Sequence, residues 1–243
     1  MKENQLTSSN LIRKFGTRTV VDNVSFFVNS GEVVGLLGPN GAGKTTSFYM
    51  TVGLLKPSSG EVTIDGNNIT ELPIHKRARM GIGYLPQNSS VFRKLTVEDN
   101  LRAIMEVWGV PRNKRSQLLE KLIDQFGIGH IRKSLGISLS GGERRRLEIA
   151  RTLVISPRFL LLDEPFAGID PVTVAEIQEL IKKLVAEENL GVLITDHNVR
   201  ETLSLCSRAY ILAGGKILAE GLPDEVATNE KVKQVYLGEN FTF

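Results

Sequence analysis

From residue 38 the chain reads Gly38-Pro39-Asn40-Gly41-Ala42-Gly43-Lys44-Thr45-Thr46, and this stretch restricts its fold more than any other. It meets G-x-x-x-x-G-K-[ST] at each required position. The apolar run Val33-Val34-Gly35-Leu36-Leu37 precedes it and reads as a buried strand, and residues 45–52 follow as a helix-compatible segment. Strand, loop and helix in that order are the context the motif needs. The glycines let successive backbone N–H groups turn inward on phosphate oxygens, and the helix start adds positive partial charge. In such a cradle Lys44 is expected to neutralise the β- and γ-phosphates of a nucleotide, with the Thr45 hydroxyl on Mg²⁺.

The hydrophobic period then changes twice along the chain. Val20, Val24, Phe26 and Val28 share one parity, which predicts a strand with one buried face. Pro57-Ser58-Ser59-Gly60 reads as a turn, 61–64 as a short strand and Asp65-Gly66 as a hairpin signal, giving a small antiparallel layer. Residues 82–85 form another short strand, stopped by Pro86. From Thr96 the spacing becomes helical: Leu101, Ile104, Met105 and Trp108 share a face, capped by Thr96 with Asp99. Met105 and Trp108 are both expected in the core. A second helix over 115–126 aligns Leu118, Leu122 and Phe126.

After Pro157 strand and helix alternate again. The pattern predicts a strand at 159–162, a helix at 173–190 with Val174, Ile177, Ile181 and Leu184 inward, and a strand at 192–195. A hairpin over 209–212 and 216–219 follows, turning at Gly214-Gly215. Such alternation indicates a parallel sheet flanked by helices. The expected fold is α/β. A nucleotide-binding core with a parallel sheet and a small antiparallel β layer (1–90 and 157–243) would carry an inserted helical subdomain (91–156).

Composition narrows the partners. Thirty basic and 27 acidic residues leave a net charge of +3, so no long-range field commits the chain to nucleic acid. Arg144-Arg145-Arg146 and the cluster Arg112, Lys114, Arg115 read as solvated helix faces. Cys206 stands alone, which excludes an internal disulfide and suits a reducing compartment. His75, His130 and His197 are too scattered for a metal cluster. No apolar run nears the ~18 residues of a membrane span. Met1-Lys2-Glu3-Asn4-Gln5 has no apolar stretch of a secretory signal. A cytoplasmic chain is expected, reaching any membrane through partners. The tail residues Tyr236, Leu237, Phe241 and Phe243 are expected to pack on the chain's own core or on a sister subunit.

Two further segments carry chemistry. The strand at 159–162 delivers Asp163-Glu164-Pro165 to the carboxyl end of the sheet, where ligands gather. Alone this is an acidic turn; beside the phosphate loop, Asp163 is the expected Mg²⁺ partner through water, and Glu164 the acceptor of a proton from attacking water. In Leu139-Ser140-Gly141-Gly142-Glu143, Ser140 and Glu143 form a capping box. The glycines behind it leave backbone N–H groups open to an anion.

Together and in this order, the loop at 38–46, the segment 139–143 and the strand ending in Asp163-Glu164 resemble the ATP-binding cassette of ABC transporters. The resemblance spans essentially the whole chain. It implies a Mg²⁺-dependent ATPase working as a head-to-tail homodimer with two ATP at the interface. Each ATP would lie between residues 38–46 of one copy and Ser140, Gly141 and Gly142 of the other. It further implies Phe15 as the adenine-stacking aromatic and Gln87 as the glutamine reaching Mg²⁺ and the lytic water. Residues 167–170 would cross the dimer interface, and His197 would contact the γ-phosphate.

Residues 191–202, 142–151 and 235–241 are similar to the ATPases of lipopolysaccharide export. This implies extraction of lipopolysaccharide through transmembrane partner subunits, with the chain peripheral on the cytoplasmic face of the inner membrane. The region of Phe92 and Arg93 would seat a helix of such a partner, although over 88–93 only the Phe-Arg pair keeps that group's pattern. ATPases of branched-chain amino acid importers share most of this layout, and that reading stays open. So does a soluble cassette ATPase acting on nucleic acid or in cluster assembly. A small P-loop kinase is disfavoured by residues 139–143.

Overall fold

The computed structural model describes residues 4–239 and 241. The first half holds β1 (Gln5–Phe15), β2 (Arg18–Asn29), β3 (Val33–Leu37), α1 (Lys44–Val52), β4 (Ser59–Ile64), β5 (Asn67–Asn68), α2 (Ile74–Arg79) and β6 (Ile82–Leu85). Three helices follow: α3 (Val97–Trp108), α4 (Arg112–Gln125) and α5 (Gly141–Leu153). The chain then makes β7 (Phe159–Asp163), α6 (Pro171–Glu188), β8 (Gly191–Thr195) and α7 (Val199–Leu205). It closes with β9 (Arg208–Ala213), β10 (Lys216–Gly221) and α8 (Pro223–Thr228).

One sheet has the order β10-β9-β3-β8-β7-β6 and the other β2-β1-β4-β5. The first is parallel apart from β10, and the second is antiparallel. Alternate side chains of β7 feed different cores. Phe159 and Leu161 meet Val34, Leu36 and Leu193 between the two sheets. Leu160 and Leu162 meet Val192, Ile194 and the helices on the opposite face. A strand buried on both faces reads as a continuous apolar run, which is why 159–162 shows no alternation. Leu147 and Ala150 of α5 belong to that second core, so the three-helix block and the sheet share one apolar interior.

The single-parity reading of β2 needs correction. Pairing slips at Asn10 (φ 51°) in β1 and near Asn23 (φ 57°) in β2, a backbone region that asparagine tolerates better than most residues. The extra residue turns Val21 into the core and leaves Val20 half-buried. In the helical block Thr96 caps α3 as expected, accepting the Asp99 amide at 3.1 Å. Met105 is core, but Trp108 is 37% exposed, a second correction. It ends α3 where Gly109 turns the chain. α4 starts at Arg112, directly after Pro111, and buries Leu119, Leu122 and Ile123 rather than a line through Leu118.

Tyr236, Leu237 and Phe241 pack on the chain's own core, against residues such as Leu37, Leu203 and Ile211. Burial pushes the Tyr236 phenol up to about 12. Phe243 lies outside the described residues.

Arg77 is buried without an acidic hydrogen-bond partner. It donates to the Met50 and Thr51 carbonyls at the end of α1 (2.8 and 2.7 Å), and to Thr70 and Leu72 (2.7 and 2.8 Å). Carbonyls in the last turn of a helix have no partner within it, so this guanidinium is the C-terminal cap of the helix that follows the phosphate loop. Burial brings its pKa down to about 10. Arg77→Met strands these carbonyls and should cost about 3 kcal/mol, read as a lowered urea midpoint at unchanged m-value.

Glu98 receives hydrogen bonds from Lys133 and from Arg132, the latter at 2.6 Å. These hold its carboxyl down at about 2, against 4.5 for a free glutamate. The contribution is complete above about pH 4.5 and is lost as the pH falls towards about 2. In thermal unfolding, the Tm gap between the parent and Glu98→Gln should therefore shrink as the solution is acidified below about pH 4.5.

Candidate functional site

Four neighbouring strands, in the order β3-β8-β7-β6, end at one edge of the large sheet. The phosphate loop follows β3, Asp196-His197 follows β8, Glu164 follows β7, and Gln87 comes two residues after β6. Parallel strands present their carboxyl ends together, so four chain segments remote in sequence meet along one line.

In the loop Gly38 has φ 143°, and a Cβ there would stand 2.1 Å from the Leu212 carbonyl oxygen, so no other residue fits. The Pro39 carbonyl accepts the Ala42 amide at 3.2 Å, and Asn40 and Gly41 are the exposed central residues of that turn. Gly43 occupies the N-cap of α1 without a side-chain acceptor. The first amides of α1 are thereby left for a ligand. Lys44 Nζ donates to the carbonyls of Gly38 (2.5 Å) and Pro39 (3.0 Å). Burial lowers its pKa, while the charge of Glu164 acts in the opposite direction. The loop's own oxygens thus hold the ammonium that phosphate oxygens would take over. Thr45 is exposed and Thr46 half-buried in the first turn of α1.

Glu164 is held in an uncommon backbone state, φ 48°. Its amide donates to the Thr195 carbonyl at 2.8 Å. Its Oε2 accepts from Gln87 Nε2 at 2.6 Å, and its Oε1 lies 2.7 Å from His197 Nε2. The Glu164 side chain is only 11% exposed, whereas His197 is 57% exposed and open to a ligand. Asp196 fixes the histidine's loop, accepting the amides of Phe166 (3.0 Å) and Asn198 (2.9 Å).

Asp163 is buried, and its Oδ1 accepts from Thr195 Oγ1 at 3.3 Å. Its Oδ2 is buried and accepts no hydrogen bond of good geometry among the described residues, although the Tyr49 hydroxyl faces the carboxyl, and burial pushes the carboxyl pKa up. A buried carboxylate oxygen short of partners beside the 38–46 loop would fit the water shell of Mg²⁺, and the Thr45 hydroxyl and Gln87 amide oxygen are donors of the hard type Mg²⁺ prefers.

The basic run 144–146 contains a residue that the solvated-face reading missed. Arg145 is buried and donates to the carbonyls of Pro86 (3.2 Å), Asp163 (3.4 Å), Glu164 (3.0 Å) and Pro165 (2.9 Å). It pairs with Glu148 at 3.1 Å, whose other oxygen accepts from Ser89 Oγ (2.7 Å) and the Ser90 amide (2.9 Å). One helical turn of α5 therefore holds both the segment carrying Glu164 and the segment beyond Gln87. The only sequence signal was an i, i+3 Arg–Glu pair in a helix with many charges. Arg146, by contrast, does reach an exposed partner, Glu176, at 2.8 Å.

The capping box is present: Ser140 Oγ accepts the Glu143 amide (3.3 Å), and Glu143 Oε2 accepts from the Ser140 amide (2.8 Å). Gly142 has a second reason beside the open backbone expected of it. A Cβ there would stand 2.4 Å from Thr173 Cγ2 of α6, so it serves close helix approach; Gly141 remains open. No hydrogen bond among the described residues joins 140–142 to 38–46 within the chain. Asp170 caps α6 through the Thr173 amide (3.0 Å). Phe15 lies on the surface at the end of β1, with the Arg13 guanidinium 4.6 Å from its ring centre, and is not core.

Beside the site runs a groove of about 280 Å³ between the sheet edge and the helical block, lined in part by Tyr84, Pro86, Ile104, Trp108 and Arg151. The Arg151 guanidinium stacks 4.4 Å from the ring of exposed Phe92. The backbone pairs Phe92–Leu95 with the 136–137 segment, which brings exposed Leu95, Leu135 and Ile137 into the same patch.

Residues 21–167 match the family described as "ABC transporter", and residues 216–242 match one described as "Branched-chain amino acid ATP-binding cassette transporter". A "Lipopolysaccharide export system ATP-binding protein LptB" of Haemophilus influenzae is 56% identical over 97% of this chain and 98% of its own length. Its namesake in Escherichia coli K12 is 54% identical with the same coverage. Among solved structures, a nucleotide-free ATP-binding cassette from an ABC transporter superposes with TM-score 0.86 at 28% identity, covering 97% of this chain and 100% of that one. An ADP-bound cassette of an ABC transporter gives TM-score 0.85 at 28% identity, covering 98% and 100%. With the phosphate loop, the capping-box helix and the Asp163-Glu164 strand end meeting on one sheet, the chain belongs to the ATP-binding cassette family of ABC transporters.

Proposed function

We propose that this chain hydrolyses ATP as one half of a head-to-tail homodimer and so powers lipopolysaccharide export through transmembrane partners. The observation that carries the hydrolytic part is the Glu164 carboxylate, held between Gln87 and His197 on the line of the phosphate loop. Phosphate oxygens would replace the Gly38 and Pro39 carbonyls on Lys44 and take the open amides of 38–46, with adenine on Phe15. Thr45, Gln87 and, through water, Asp163 would hold Mg²⁺, which would supply positive charge to the phosphate oxygens as ADP leaves. When His197 turns to the γ-phosphate and Gln87 to the water, Glu164 regains free oxygens and accepts the water's proton. Ser140, Gly141 and Gly142 of a second copy would complete the γ-phosphate site. Residues 91–156 would act as a helical lobe on the core formed by 1–90 and 157–243.

The lipopolysaccharide reading is supported by the identity of 54–56% to export proteins along nearly the whole chain. No helix among the described residues is long and apolar enough to cross a membrane, so transmembrane work would fall to partners. The groove and the patch of Phe92, Leu95, Leu135 and Ile137 offer such a partner a seat beside Arg93. A second reading, a branched-chain amino acid importer, is favoured by the match of residues 216–242. Recovery from native membranes in mild detergent decides between them: the first reading expects partners that make turnover respond to lipopolysaccharide, and a response to branched-chain amino acids would overturn it.

Glu164→Gln should leave Mg-ATP binding intact and slow turnover by about 10²–10⁴-fold, the usual worth of a general base; parental turnover would remove Glu164 from that role. Arg145 positions Glu164 through backbone carbonyls. Replacing both buried charges, Arg145→Met with Glu148→Met, avoids stranding one of them. That double variant should stay folded and bind Mg-ATP, yet lose on the order of 10²-fold in kcat, as misplacement by about 1 Å does. A kcat unchanged in steady-state assays would show the clamp to be structural only.

A further inference from the structure

The α3–α4 corner, from the last residues of α3 through the turn at 109–111 to the first residues of α4, reads Val107-Trp108-Gly109-Val110-Pro111-Arg112-Asn113-Lys114-Arg115 and holds the sole tryptophan of the chain. It contains three basic residues and no acid. Val107 is 87% exposed and Trp108 37%. Arg115 Nε braces the turn by donating to the Val110 carbonyl at 2.8 Å. Arg112 and Lys114 are exposed and spend no side-chain hydrogen bond or ion pair on the described residues. Against the corner lies an open cleft of about 620 Å³ lined by Trp108, Val110, Leu118, Val154 and Ile155, in which Lys114 and Lys121 are the only charged groups among the described residues. Lys121 is paired with Glu188 at 3.0 Å, which leaves Lys114 as the uncompensated charge.

An exposed indole among valines is unfavourable in water but suits the headgroup level of a bilayer. Unpaired basic side chains beside it match an anionic lipid surface. Trp108 also lines the groove proposed for the membrane partner, so the corner and that seat adjoin each other. We propose that the α3–α4 corner is a docking site for anionic phospholipid in a bilayer. Trp108 and the cleft take the acyl region, and Arg112 and Lys114 take headgroup phosphates. The site would hold the helical lobe against the membrane in addition to any protein partner. It rests on the reading of this chain as a membrane-partnered ATPase, but its test needs no partner.

The full-length chain is mixed with vesicles of phosphatidylglycerol and phosphatidylethanolamine, or of phosphatidylcholine alone, with emission excited selectively from Trp108. The anionic vesicles should shift that emission to shorter wavelength and carry the protein on flotation, and salt should reverse both effects. Phosphatidylcholine should do neither. The variant Arg112→Gln with Lys114→Gln should bind on the order of 25-fold more weakly, about fivefold for each basic residue, with ATPase activity unchanged. Three results would overturn the proposal: no shift or flotation with anionic vesicles, equal flotation of the variant, or the same shift from glycerol phosphate in solution, which would mark a site for free phosphate. None of these would touch the hydrolytic reading, which turnover assays report separately.

Discussion

A buried guanidinium whose charge is balanced by one carboxylate must find carbonyl oxygens for its remaining N–H groups, and Arg145 finds them on the backbone that carries Glu164. Pro86, Asp163, Glu164 and Pro165 all turn a carbonyl towards it. Desolvation of such a group is costly, so the arrangement persists only while every donor is met. The backbone of Glu164 sits at φ 48°, a strained state for a residue with a side chain, and needs external restraint. Thr195 holds its amide and Arg145 its carbonyl, and between those two bonds the carboxylate has little choice of direction.

The parallel sheet turns that local restraint into a site. Neighbouring parallel strands in register end side by side, so His197, Glu164 and Gln87 meet although they are far apart in the chain. The two outer groups both hydrogen-bond the central carboxylate, so these three side chains satisfy one another. Asp163 is the exception. One of its oxygens is buried and accepts no hydrogen bond of good geometry among the described residues, with only the Tyr49 hydroxyl facing the carboxyl, a strain that folds tolerate at functional places.

α5 joins the remaining parts. Its N-cap is Ser140, its middle turn clamps the Glu164 segment and the Ser89-Ser90 segment, and its last turn holds Arg151. Arg151 donates to the Ser90 carbonyl and stacks on Phe92. A single helix thus touches the surface expected to face a second copy, the segment of Glu164 proposed to act in hydrolysis and the groove expected to face a membrane partner.

Local chemistry was legible in the chain itself. The phosphate loop, the capping box at Ser140, the cap at Thr96, the hairpin at Asp65-Gly66 and the doubly buried strand at 159–162 all depend on residues within a few positions of one another. Their spacing carries the information. Arg77, Arg145, the place of Trp108 and the second reason for Gly142 were not legible, because each depends on which atoms a distant segment brings within about 4 Å. An arginine looks the same in a sequence whether it ends in water or among four carbonyl groups. What the amino-acid order determined alone was the inventory of groups and, for the strongly patterned segments, the helix or strand they would occupy; β1, α2, α7 and α8 carried no such reading. Which of them face one another was decided only when parallel strands closed into a sheet, since burial and hydrogen-bond completion are properties of neighbours in space.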